Sequence, residues 1–89
     1  MYRIEFDKSV IKTIAKWKKS NPINYKKLLL VIKSIEQDPR AGIGKPEQLV
    51  GKEGYWSRRI TAHDRLIYTI HDDEVFVLIL AIGGHYDDK

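Results

Sequence analysis

Tyr55-Trp56-Ser57-Arg58-Arg59-Ile60-Thr61, Ala62-His63-Asp64, Arg65-Leu66-Ile67-Tyr68-Thr69-Ile70, His71-Asp72-Asp73 and, after Glu74, Val75-Phe76-Val77-Leu78-Ile79-Leu80-Ala81-Ile82 form one continuous stretch that decides the fold. Three runs rich in β-branched and aromatic residues are separated by short polar turns, the pattern of an antiparallel meander. The last run, Val75 to Ile82, is apolar at every position, which implies burial on both faces and an interior place in the sheet. Its free edge needs a neighbour. The N-terminus supplies one, because Tyr2, Ile4 and Phe6 alternate with Arg3 and Glu5 with the period of a half-buried strand.

Between that first strand and the meander lie two helical patterns. Asp7 or Ser9 can cap the first, whose apolar positions Val10, Ile11, Ile14 and Trp17 recur at helical spacing opposite Lys8, Lys12, Lys16 and Lys19. Asn21-Pro22 opens the second, with a stripe of Tyr25, Leu28, Leu29, Val31, Ile32 and Ile35, and Asp38-Pro39 ends it. Pro39 to Gly54 carries four glycines and two prolines, so it reads as a long loop, anchored by Leu49 and Val50. The expectation is one α+β domain spanning residues 1–89, in the order βααβββ. Its four-stranded mixed sheet runs 1-4-3-2, with a two-helix hairpin on one face. The other face stays open to a large ligand.

The hairpin turn sets which side chains share that open face. If Ala62 to Asp64 form a three-residue turn, Thr61 pairs with Arg65, Arg59 with Ile67 and Ser57 with Thr69. Arg59 and Arg65 then project from one face. Trp56, Ile60, Leu66, Tyr68 and Ile70 line the other, and Arg58 snorkels at its margin. Two guanidiniums on an open sheet face suit phosphate oxygens. The plainer reading is that they only keep that face wettable.

Bulk properties narrow the function classes. Lys and Arg number 16 against 12 Asp and Glu, a formal charge of +4, which favours a polyanionic partner. Without cysteine there is no disulfide, thiolate nucleophile or sulfur-held metal. His63 and His71 sit in different turns at spacing that fits no familiar zinc pattern, so no metal site is expected. Met1 to Phe6 has no signal-peptide apolar core, and Val75 to Ile82 is far shorter than the ~20 residues of a membrane span. A cytoplasmic protein without membrane association is expected.

Gly44-Lys45-Pro46-Glu47-Gln48-Leu49, Tyr55-Trp56-Ser57-Arg58-Arg59-Ile60-Thr61, His63-Asp64-Arg65-Leu66-Ile67-Tyr68 and His85-Tyr86, in this order and spacing, resemble the YoeB/Txe toxins of the RelE/ParE superfamily nearly end to end. That resemblance implies a βααβββ fold and a ribosome-dependent mRNA endoribonuclease that needs no cofactor or metal. It also implies a YefM/Phd-type antitoxin as partner, the ribosome and its mRNA as target, and a homodimer. By motif, Glu47 is similar to the family's general base, Arg59 and Arg65 to its phosphate and transition-state binders, and His85 with Tyr86 to its terminal acid and stacking pair. Lys45 corresponds to an auxiliary cation, and Arg58 counts among the substrate contacts.

Two departures stand out. Val50 replaces a lysine common in the family, leaving Lys52 as the candidate substitute, and the loop before Tyr55 is one residue shorter. Asp87, Asp88 and Lys89 follow the His-Tyr pair, where family chains often end. Two other readings remain open: a ParE-like toxin that poisons DNA gyrase without nuclease chemistry, and a non-catalytic module that binds RNA or an antitoxin. A metal-free ribonuclease has three tasks, because RNA carries its own nucleophile. It must take the 2′-hydroxyl proton, stabilise the phosphorane and protonate the leaving 5′-oxygen. Glu47, the arginine pair and His85 meet them, with a 2′,3′-cyclic phosphate and a 5′-hydroxyl as products.

Overall fold

The computed structural model describes residues 1–84. Along the chain come β1 (Arg3–Phe6), α1 (Lys8–Ser20), α2 (Pro22–Gln37), β2 (Glu47–Gln48), β3 (Tyr55–Arg59), β4 (Arg65–His71) and β5 (Phe76–Gly83). The sheet is five-stranded, in the order β1-β5-β4-β3-β2. This corrects the expected four-stranded sheet of order 1-4-3-2. The extra strand comes from the glycine-rich segment, where Glu47 pairs antiparallel with Ser57 and Gln48 with Trp56. Such a strand has no sequence signature: two polar residues behind a proline carry neither alternation nor β-branching. What holds it is the turn beyond, where the Leu49 amide donates to the Tyr55 carbonyl at 2.9 Å and the Tyr55 amide to the Lys52 carbonyl at 3.1 Å.

β5 runs parallel to β1 and antiparallel to β4, inside the sheet. Its register slips between the Tyr68–Ile79 and Ile67–Ala81 pairs, so Leu80 has no partner in β4. That bulge turns Ile82 toward the helices, where it packs with buried Val77 and Ile79. Full burial in β5 is confined to Val77 and Ile79 on the helix side, while Phe76, Leu78 and Leu80 are half-buried.

The core lies between the sheet and the helices, with Val10, Leu28, Val31 and Ile35 against Ile60, Leu66, Tyr68, Val77 and Ile79. Leu28, fully buried, contributes about 1.5–3 kcal/mol by leaving water. Asp7 caps α1, accepting from the Ser9 amide and hydroxyl, and these bonds hold its carboxyl below its ordinary pKa. α2 starts at Pro22 with no side-chain cap on Asn21. Several residues expected inside lie outside, among them Phe6 at the end of β1 and Val75, which falls before β5. Ile11 and Leu29 are exposed at the edges of their stripes, and Val50 is wholly exposed at the β2–β3 turn, so Leu49 alone, half-buried, anchors that turn. Among the described residues no helix is long and apolar enough to cross a membrane.

A polar clasp closes the end of the sheet away from the β3–β4 turn. The Tyr2 hydroxyl donates to Asp72 at 2.6 Å, and Arg40 grips the same carboxylate with two nitrogens at 3.2 and 2.7 Å. Arg40 first, then Tyr2, holds the Asp72 carboxyl below its ordinary value of 3.8. A group depressed on folding contributes stability above its ordinary pKa and loses it as the pH falls through the lowered value. Asp72→Asn should therefore melt earlier than the parent protein at neutral pH, by a small amount because the clasp is exposed. The two melting curves should converge under acid conditions below the ordinary carboxylate range; a constant gap in an acid titration of thermal stability would remove the clasp's electrostatic role.

Candidate active site

β3 and β4 pair Arg59 directly with Arg65, Ser57 with Ile67 and Tyr55 with Thr69. The expected register differed by two residues: the connection is residues 60–64, not a three-residue turn. Asp64 closes it, its carbonyl accepting from the Ile60 amide at 2.8 Å and the Thr61 amide at 3.3 Å. The Thr61 hydroxyl accepts from the His63 and Asp64 amides and donates to the Asp64 carboxylate at 2.8 Å. A shift of two preserves parity, so Arg59 and Arg65 do share the face opposite the helices, now as immediate cross-strand neighbours.

Like charges directly opposite one another destabilise a sheet. Here the repulsion is offset from the neighbouring strands. Arg65 donates to the Ser57 hydroxyl at 3.1 Å, with Ser57 itself fully buried, and its guanidinium lies 3.9 Å from a Glu47 carboxylate oxygen. Glu47 reaches this position because β2 pairs it with Ser57, two residues along the same face from Arg59. The Arg65 side chain is 24% exposed and that of Glu47 58%, a supported cation beside an accessible carboxylate. Arg59 is exposed, and among the described residues its guanidinium makes no hydrogen bond or ion pair.

Lys45 stands two residues before Glu47 in a left-handed conformation, φ 51°, that non-glycine residues seldom adopt. Gly44, φ 83°, passes so close to β3 that its carbonyl accepts from the Arg59 amide at 2.6 Å, and a Cβ there would come within 2.6 Å of the Arg59 carbonyl oxygen. Only glycine fits. A groove of about 300 Å³ runs beside it, lined by Leu30, Ile43, Lys45, Arg59 and Ile60.

Arg58 departs from expectation. It lies on the helix side, as alternation requires, but it is fully buried and holds no margin from which to reach a substrate. Its Nε donates to the Tyr68 hydroxyl at 3.1 Å, one terminal nitrogen to the Ser34 hydroxyl and the Ile43 carbonyl, and the other to the Asp38 and Ala41 carbonyls, at 2.6 to 3.0 Å. Every N–H of the guanidinium is used inside the fold. Burial raises the pKa of the Tyr68 phenol, with Arg58 acting against that rise. Sequence reasoning missed Ser34, Ser57 and Tyr68 as partners; only the parity of Ser57 with Arg59 hinted at one of them.

Lys52 lies over the Tyr55 ring, 5.9 Å from its centroid. His85 and Tyr86 lie outside the described residues. No cluster of three metal-ligating side chains occurs among the described residues.

Residues 6–86 match the model of the YoeB-like toxin of bacterial type II toxin-antitoxin systems. A YoeB toxin from Synechocystis is 52% identical over 68 residues, covering 71% of this chain and 77% of that one. The YoeB dimer from Staphylococcus aureus superposes with a TM-score of 0.84 at 32% identity, over 96% of this chain and 98% of that one. The YoeB-YefM complex from the same organism gives 0.79 at 33% identity, over 97% and 99%. The open-face cluster therefore sits in a fold and a sequence of known kind: this chain belongs to the YoeB-like toxin family of bacterial type II toxin-antitoxin systems.

Proposed function

We propose that the protein is an endoribonuclease that cuts mRNA on the ribosome and is silenced by a YefM-type antitoxin. The observation that carries the reading is the placing of Glu47 within 3.9 Å of Arg65, with Arg59 opposite on the same open face. A purely structural surface gains nothing from two guanidiniums side by side, whereas a pentacoordinate phosphate needs fixed positive charge on two of its oxygens. Glu47 takes the 2′-hydroxyl proton, and that oxygen attacks the adjacent phosphorus. Arg59 and Arg65 hold the non-bridging oxygens as charge builds on them. His85 gives its proton to the departing 5′-oxygen, and Tyr86 stacks on a base. The balance leaves a 2′,3′-cyclic phosphate and a 5′-hydroxyl, with no metal in any step. Lys45 adds charge at the mouth of the site. By the likeness to the Staphylococcus aureus proteins, the toxin pairs with itself and with its antitoxin.

The test is primer extension on mRNA translated by purified ribosomes, with the wild type, Glu47→Ala, Arg65→Ala and a form lacking residues 85–89. Discrete cuts that require ribosomes, fall at least about 100-fold in Glu47→Ala and Arg65→Ala, and disappear in the truncated form are expected. A folded wild type that makes no cut returns the choice to gyrase poisoning or to binding alone. Cutting that survives truncation would mean a group other than His85 is the acid.

A further inference from the structure

We infer that Arg58 is a positioning residue for the reaction: it fixes the 38–43 segment so that Gly44, Lys45 and Glu47 meet the arginine pair. The inference rests on the nuclease reading and extends it to a residue that never meets RNA.

A buried cation is normally balanced by a carboxylate, because the cost of removing its water is several kcal/mol. Among the described residues Arg58 has no ion pair. Its charge is solvated by three backbone carbonyls, Asp38, Ala41 and Ile43, and by two hydroxyls. Those carbonyls belong to a segment with no helix or strand of its own, whose backbone groups otherwise need water. The guanidinium thus replaces the missing secondary structure. Its two hydroxyl partners tie it further: Tyr68 donates on to the Pro39 carbonyl at 2.7 Å, and Ser34 accepts from the Ile43 amide at 3.3 Å. Gly42 passes so near that a Cβ would fall 2.2 Å from the Ser34 oxygen and 3.0 Å from Arg58.

The segment is followed at once by the site. Gly44 bonds the Arg59 amide, Lys45 turns the chain, and Glu47 enters β2. β2 has only two residues, too few to set its own register against β3. The turn at Leu49 to Tyr55 holds β2 from its far end, and the depth at which Arg58 draws in residues 38–43 sets its near end, so both fix where Glu47 stands relative to Arg65. Catalysis is steep in such placement, an error of an ångström costing on the order of 100-fold.

The test loosens the clamp without removing the cation. Ser34→Ala and Tyr68→Phe each delete one hydroxyl, and both are compared with wild type in three measurements: single-turnover cleavage against ribosome concentration, amide exchange over residues 43–48 and at Arg59, and thermal melting. Faster exchange in that segment is expected, with kcat lowered about 10-fold or more, KM unchanged and both variants folded at the assay temperature. If kcat falls only in proportion to the unfolded fraction, or stays at wild-type level while exchange rises, the positioning role is overturned. A wild type that cuts nothing sinks the nuclease reading and this inference with it, and that arm alone distinguishes the two failures.

Discussion

Arg65→Ala is expected, on the proposed nuclease reading, to slow mRNA cleavage by about 100- to 1,000-fold while barely changing ribosome affinity, because that reading assigns its contribution to the transition state. Arg65 sits on an interior strand, its guanidinium held by buried Ser57 and flanked by Glu47. A charge fixed in place before the reaction need not reorganise when the phosphorane forms, and losing one such donor costs about 3–4 kcal/mol of barrier. On the same reading, ribosome binding would draw on many cations of a chain whose net charge is +4, so one arginine there would matter little. Single-turnover rates at saturating ribosomes, set beside filter-binding affinities over a salt series, separate the two contributions. Equal losses in rate and affinity would make Arg65 an ordinary phosphate contact.

Arg58→Met is expected to cost about 3 kcal/mol or more of folding stability, since it keeps the bulk and removes every donor. The Asp38, Ala41 and Ile43 carbonyls would each lose the guanidinium donor, with Asp38 keeping only the Ala41 amide at 3.4 Å, and the Ser34 and Tyr68 hydroxyls would lose a donor each. Set against the roughly 5–15 kcal/mol that holds a domain together, this approaches the margin. Urea denaturation followed by tryptophan fluorescence gives the difference directly. A loss under about 1 kcal/mol would mean that water enters and takes over the donor role.

The long elements were legible because their patterns are local. Alternation marked β1, helical spacing marked α1 and α2, and β-branched runs marked the meander. β2 was not, because its pairing is imposed by the turn at Leu49 to Tyr55 and leaves no imprint on Glu47-Gln48. The arginine face was legible for a subtler reason. Parity survives a shift of two residues, so an incorrect turn length still placed Arg59 and Arg65 together. Depth, unlike parity, is not written in a strand's sequence: Arg58 and Arg59 are adjacent and identical in chemistry, yet one is sealed in the core and the other is open. Alternation puts them on opposite faces, but only the loop that folds back over Arg58 seals it in the core instead of leaving it at the margin, and that loop is nonlocal. Ile11 and Leu29 show the same limit in helices, where periodicity gives a stripe but not its width.

The five-residue connection between β3 and β4 has an evolutionary corollary. The pairing of β4 with β5 and the burial of Leu66 and Tyr68 keep Arg65 on the open face, while the Asp64 carbonyl that accepts from the Ile60 and Thr61 amides sets Arg65 directly opposite Arg59. A change of length there would have to rebuild that closure to keep the two arginines paired. Drift in this connection should therefore be confined to substitutions that preserve the Thr61–Asp64 bonds, while at the β2–β3 turn the wholly exposed side chain of Val50 is free to vary.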